Sequence, residues 1–392
     1  MSSDRRRPYR ARWVLAACLA AVGGVTACAQ EQTDPHVPLT YRLTKDCPVP
    51  PSHRPTVTAD QLNKIVDHSD LPAWQAGDIG ASARLSDGRL AWVFDDTLRK
   101  DSYQPQLVAN SILITSGNCA AQLMSSEDGP VIPDASQQEV LWPTSVAVLR
   151  DDPQVAKGTD VLVVPCARTV RGDSGGTLDF TFYGTSAAVF TVQPGGVPLL
   201  EEVYEVTPDS PNEHQIQWGQ ATTVHSPWFY VYGTRAKGDQ LGRELYVARV
   251  PVDDPRDRSR WGFWNGHQWQ PNPDKASPVI GSDPGVSQTL SVHVDHDTYV
   301  VTSKRGGDLG DFVYTWDSPH PTGPWHPNQA LEAPAGFDTG LYQYAPLAHP
   351  EIPVAPGHLL VSVSRNAADL DVILQDPDKG RPLFAEVADP VN

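Results

Sequence analysis

Apolar and polar residues alternate in short runs through most of the chain, and Gly, Pro, Asp or Asn ends each run before it lengthens into a helix. From residue 70 onward no segment sustains a 3.6-residue apolar spacing, so the pattern predicts an almost wholly β domain. The clearest case is 81–94, where Ala81-Ser82-Ala83-Arg84-Leu85 and Leu90-Ala91-Trp92-Val93-Phe94 flank Asp87-Gly88, a strong hairpin signal. A two-residue loop there sets Leu85 against Leu90 and, further out, Ile79 against Asp96 and Asp78 against Thr97. Asp78 and Asp96 then stand on neighbouring strands with Cβ atoms about 5–8 Å apart. Asp95, one residue off, is expected to point to the opposite face.

The same two-strand phrase returns about every 50–70 residues, a period that suggests propeller blades. It recurs at 144–149 with 160–166, 217–224 with 228–232, 290–294 with 298–303, and 344–348 with 358–364. Further strands are expected at 107–115, 178–192, 244–250, 311–316 and 370–374, and a short helical turn at 63–68. The expected fold class is therefore all-β, a five-bladed β-propeller over residues 70–392, in preference to two β-sandwiches. The Trp-containing corners Phe263-Trp264-Asn265-Gly266 and Thr322-Gly323-Pro324-Trp325 are expected to pack between blades. In such a ring the first strand of each blade lines the central channel, which places Asp78 and Asp96 at one mouth.

The N-terminus adds a compartment. Five Arg within residues 5–12, an apolar run from Trp13 to Val25, and Val25-Thr26-Ala27-Cys28 together resemble a bacterial lipoprotein signal, residues 1–27, cleaved before a lipid-modified Cys28. Residues 28–69, rich in Pro and Thr, read as a tether and lead-in. The expectation is an exported protein held to the outer face of the cytoplasmic membrane, meeting the membrane through its lipid anchor only. Loss of residues 1–27 removes five Arg and Asp4, taking the formal charge from −17 to −21. That charge argues against nucleic acid or anionic lipid as a partner and suits a neutral glycan. Of the mature cysteines, Cys119 and Cys166 lie in strand-like segments and can pair, leaving Cys47 odd. No CxxC or HExxH spacing calls for a metal; no cofactor is expected, and the domain is read as a monomer.

The phrase Gly77-Asp78-Ile79-Gly80, Asp87-Gly88-Arg89 and Trp92-Val93-Phe94-Asp95-Asp96-Thr97 resembles an actinobacterial family known as domain of unknown function 4185, associated with five-bladed propeller endo-D-arabinofuranases. Asn110-Ser111, Trp142-Pro143, Tyr230-Val231-Tyr232-Gly233 and Gly323-Pro324-Trp325 extend the likeness over roughly residues 70–380. The resemblance implies a catalytic pair at Asp78 and Asp96, although the family favours Gly where Asp95 stands. Furanoside hydrolysis needs one carboxylic acid to protonate the leaving oxygen and a carboxylate opposite it. Asp78 is read as nucleophile or base and Asp96 as general acid. Asn110, Trp218, His293, Tyr344, His349 and Asn366 are candidates for holding sugar. Gly172-Asp173-Ser174-Gly175-Gly176 resembles a serine-protease phrase without the accompanying histidine arrangement. The expected substrate is a furanose-containing cell-wall polysaccharide such as D-arabinan; the alternative is a non-catalytic glycan-binding or scaffold propeller.

Overall fold

Each predicted phrase becomes the inner hairpin of its own antiparallel sheet, and the five sheets form a five-bladed β-propeller. The computed structural model describes residues 39–51, 56–67, 71–136, 138–150, 152–172, 179–212 and 214–392. These belong to one compact unit, Leu39–Asn392. Residues 1–27 and Cys28 lie outside the described residues, as do Asp173 to Gly176 of the protease-like phrase.

Blade one runs outward from Ala76–Arg84 through Leu90–Leu98, Ser111–Ser116 and Cys119–Ser125 to Tyr41–Leu43. Blade two has a broken inner strand, Glu139–Pro143 and Ala147–Leu149, followed by Asp160–Arg171, Phe180–Val192 and Leu199–Glu205. Blade three starts with Gln217–His225 and Trp228–Arg235, blade four with Ser291–Asp295 and Thr298–Lys304, and blade five comprises Leu341–Ala348, His358–Ala367 and Leu383–Ala388.

The core divides by seam, because every sheet face must be covered by the next blade. Val93, Ile114, Leu162 and Phe190 fill the contact of blades one and two. Val163, Trp218, Phe229 and Phe263 fill that of two and three, and Tyr232, Val247, Val301 and Trp316 that of three and four, with Trp264 and Trp325 packed against it. Val313, Ala348 and Val361 join four and five, while Trp74, Trp92, Phe94, Leu360 and Phe384 join five and one. Burying one such side chain is worth about 1.5–3 kcal/mol.

Three expectations are corrected. The part of the tether from Leu39 onward is built into the fold: Tyr41–Leu43 pairs with Cys119–Ser125 as the outermost strand of blade one. That edge also sets the disulfide, which joins Cys47 to Cys119 at a Cα separation of 5.6 Å. Cys166 is free and buried, since its side chain faces the seam of blades one and two. Lastly, 370–374 is helical, Leu370–Gln375, started by Asp369, whose carboxylate accepts from Asp371 N at 2.9 Å. The helical turn expected at 63–68 is the helix Ala59–Asp67.

Among the described residues the ring closes without exchanging a strand between blade five and the N-terminal segment. Side chains do most of the joining, beside one backbone bond from Val57 N to Pro353 O. Asn63 donates through Nδ2 to Phe384 O and accepts through Oδ1 from Phe384 N, and Glu386 accepts from Ala59 N. Arg381, 5% exposed, donates to the carbonyls of Gln75, Val66 and Asp67.

Candidate active site

The hairpin of blade one differs from the two-residue-loop reading in a way that builds the site. Leu85 N bonds Arg89 O at 2.9 Å and Gly88 takes φ 94°, so Ser86-Asp87-Gly88 form the loop and Arg84 faces Leu90. Asp87 locks this end by accepting from Arg89 N and Nε and from Gly195 N, and Asp160 accepts from Ser86. The Asp-Gly-Arg motif is thus a joint between blades one and two, at the end of the hairpin away from the acids.

At the other end two irregularities shift the register, leaving Ile79 against Phe94 and Gly77 against Thr97. One residue, Asp78, therefore opposes the two-residue step Asp95-Asp96. Ile79 and Gly80 carry the distortion at φ 69° and 76°. A β-branched residue at positive φ is strained. Ile79 is held there by blade five, its N–H donating to Ser364 Oγ at 2.9 Å. A Cβ on Gly80 would lie 2.9 Å from the Phe94 ring, so the kink needs glycine.

The bulge corrects the expected orientation of Asp95. With two residues against one, strict alternation fails, and Asp78, Asp95 and Asp96 all line a single cavity of about 450 Å³ at the mouth. Blade five supplies Tyr344 and Asn366. Asn366 Nδ2 donates to Asp78 Oδ2 at 2.9 Å and the Tyr344 hydroxyl donates to the same carboxylate. Blade two supplies Arg171 and Trp142. The Arg171 guanidinium grips both oxygens of Asp96, with Nη1 3.1 Å from Oδ2, and Trp142 Nε1 donates to Oδ1 at 2.9 Å.

Charge arithmetic then separates the three acids. Burial pushes Asp78 up to about 7, opposed by the Tyr344 and Asn366 hydrogen bonds and reinforced by the Asp96 charge. Burial raises Asp95 well above the carboxylate range, helped by the charges of Asp78 and Asp96. Its Oδ1 is buried without a hydrogen-bond partner. Burial also lifts Asp96, but Arg171 and Trp142 work against it. Within this trio one guanidinium neutralises one carboxylate, Asp96, and the remaining pair shares a proton near neutrality. The proton belongs on Asp95, whose bare oxygen offers the weaker site for negative charge.

The other candidate residues divide. Tyr344 and Asn366 reach the cavity. Asn110, 1% exposed, instead ties blade one to the next loop, with its amide donating to Ile132 O and Leu141 O and accepting from Ile132 N. Trp218 is 3% exposed and packs edge-on to Phe263 at 5.2 Å, filling the seam of blades two and three. His293 and His349 belong lower down. His293 lines the central channel below the mouth. His349 is fully enclosed, bonded through Nδ1 to Ser82 and through Nε2 to Ser362. His293 sits on regular alternation, which fixes a residue's face but not its depth along the channel, and His349 follows the end of the strand Leu341–Ala348 beyond its register shift. Arg171 was missed because it stands at the far end of a twelve-residue strand, with no local motif to mark it. Trp142 was quoted only as part of a motif.

The geometry defines a class: a propeller whose mouth sets the trio Asp78, Asp95 and Asp96 beside the Arg171 guanidinium within an aromatic rim. Residues 61–389 match the family described as a domain of unknown function, DUF5005, and the chain belongs to that family. The match is to that family rather than to domain 4185. No curated protein matches. Among solved structures, a candidate hydrolase from Bacteroides ovatus is 17% identical with a TM-score of 0.60, covering 84% of this chain and 89% of that one. A GH43_1 enzyme from Xanthomonas citri is 13% identical with a TM-score of 0.47, covering 84% and 92%. The catalytic domain of a GH62 α-L-arabinofuranosidase from Coprinopsis cinerea is 12% identical with a TM-score of 0.44, covering 82% and 93%. At these identities the likeness bears on fold alone.

Proposed function

We propose that the protein is a glycoside hydrolase using two carboxylates on a furanose-containing cell-envelope polysaccharide of the D-arabinan type, exported and lipid-anchored through Cys28. One observation carries the reading: within one cavity Asp78, Asp95 and Asp96 stand together with a single guanidinium on Asp96, so an acid and a base coexist near neutrality. Asp95 holds the proton and delivers it to the departing glycosidic oxygen. Asp78, presented by Tyr344 and Asn366, faces the anomeric carbon as nucleophile or as base toward water. Asp96 remains ionised against Arg171; its charge keeps the proton on Asp95 and favours the oxocarbenium-like transition state. The residue first read as the acid thus becomes an electrostatic support, and its neighbour takes the role.

Incubating the purified protein with arabinogalactan, alongside Asp78→Asn and Asp95→Asn, tests this. Wild type releases reducing sugar, and each variant loses a factor of about 10²–10⁴ in kcat. Release that survives both substitutions removes the site assignment. No release by wild type favours the glycan-binding alternative.

A further inference from the structure

Two aromatic groups flank the carboxylates on opposite sides. Toward blade five, Phe337 is 52% exposed and its ring lies 4.8 Å from that of Tyr342, tilted by 33°. Tyr342 is the ladder partner of Asn366, whose amide holds Asp78. Toward blade two, Phe180 is 37% exposed and meets Trp142 edge-on at 4.9 Å. Trp142 in turn holds Asp96. Phe180 is thus one residue removed from a carboxylate and Phe337 two, both line the cavity, and blade one, which bears the acids, lies between them.

We infer that the mouth binds an internal stretch of a neutral glycan chain, which crosses the carboxylates with one sugar stacked at Phe337 and another at Phe180. The inference rests on the glycosidase reading for the position of the cleaved bond. An aromatic face left half open to water gains by covering itself with the apolar C–H face of a sugar ring. One such platform suits the end of a chain. Two, bracketing the reacting groups, suit a chain that continues both ways, so the products are oligosaccharides. Charge selects against acidic polymers: among the described residues five aspartates, Asp78, Asp95, Asp96, Asp179 and Asp308, line the cavity, where Arg171 is the cation of the lining and Arg243 and Lys304 offset Asp308.

Binding is measured with Asp78→Asn, so that hydrolysis does not intervene, using calorimetry and α-(1→5)-linked arabino-oligosaccharides of increasing length. Affinity is expected to rise with length until both platforms are occupied. Phe337→Ala and Phe180→Ala each weaken the long ligand about tenfold and flatten the length dependence, whereas Phe337→Tyr and Phe180→Tyr restore it. A polygalacturonate of equal length binds poorly. Affinity independent of length, or unchanged in both Ala variants, overturns the inference, as does failure of every oligosaccharide to bind. The two readings fail separately. Length-dependent binding without cleavage by wild type sinks the hydrolase alone; cleavage yielding only monosaccharide, with wild-type binding in both Ala variants, sinks the platforms alone.

Discussion

Among single residues the three aspartates carry the same side chain in quite different surroundings. Asp96 has a guanidinium, Asp78 has two neutral donors, and Asp95 has a bare oxygen. The pair that shares the proton titrates as a unit, so activity should rise as the pH passes about 7, where Asp78 ionises, and fall when the second proton leaves. A pH profile of kcat/KM for Asp95→Asn is expected to lack the alkaline fall. The same shift has a stability consequence. Asp78 holds its proton to about 7 in the folded chain against 3.8 ordinarily. The stabilisation it contributes is therefore complete below pH about 4 and lost as the pH rises through about 7. Replacing it with neutral Asn should raise the thermal midpoint at pH 8, by about 1–3 kcal/mol in stability, and leave the midpoint at pH 4 nearly unchanged, while activity disappears. Calorimetric melts at the two pH values check this.

At the level of the element, the hairpin shows where sequence reading ends. Asp87-Gly88 announces the turn, and five such phrases announce five blades, because alternation and turn residues are local physics. The bulge has a weaker mark. Gly80 hints at a kink, but Ile79 at φ 69° contradicts its own preference and is kept there by Ser364, nearly three hundred residues away. Asp95 was misplaced for that reason alone. The Cys47–Cys119 pairing and the use of Tyr41–Leu43 as an outer strand are long-range facts of the same sort. The bulge can be probed directly. Gly80→Ala should cost about 1–3 kcal/mol and lower kcat/KM by more than that stability loss explains, since it displaces Asp78. Gly117→Ala is the control, with φ 56° and open space around its Cβ position. It should cost about 1 kcal/mol and leave activity alone. Urea midpoints with initial rates separate the two effects.

For the whole molecule, closure is the decisive feature. Four seams join blades that follow directly in sequence; the fifth joins blade five to blade one across the length of the chain. Arg381 concentrates much of that closure in one buried guanidinium, and Arg381→Met leaves three carbonyls short of a donor. A loss of about 2–4 kcal/mol is expected, with hydrogen exchange quickening first in Leu383–Ala388 and Ala59–Asp67. Quickening spread evenly over all blades would show that the load is shared instead.

The Asp78–Asn366 and Ile79–Ser364 bonds lie across that same seam. The protein accordingly behaves like a circuit with its fuse wired in series with the load. If the ring parts at its one long-range joint, Asp78 loses its two donors and its kinked backbone at the moment of parting, while most blades still stand. On the proposed glycosidase reading, heat-damaged molecules would then fall silent early, rather than persisting half-open and cutting without discrimination.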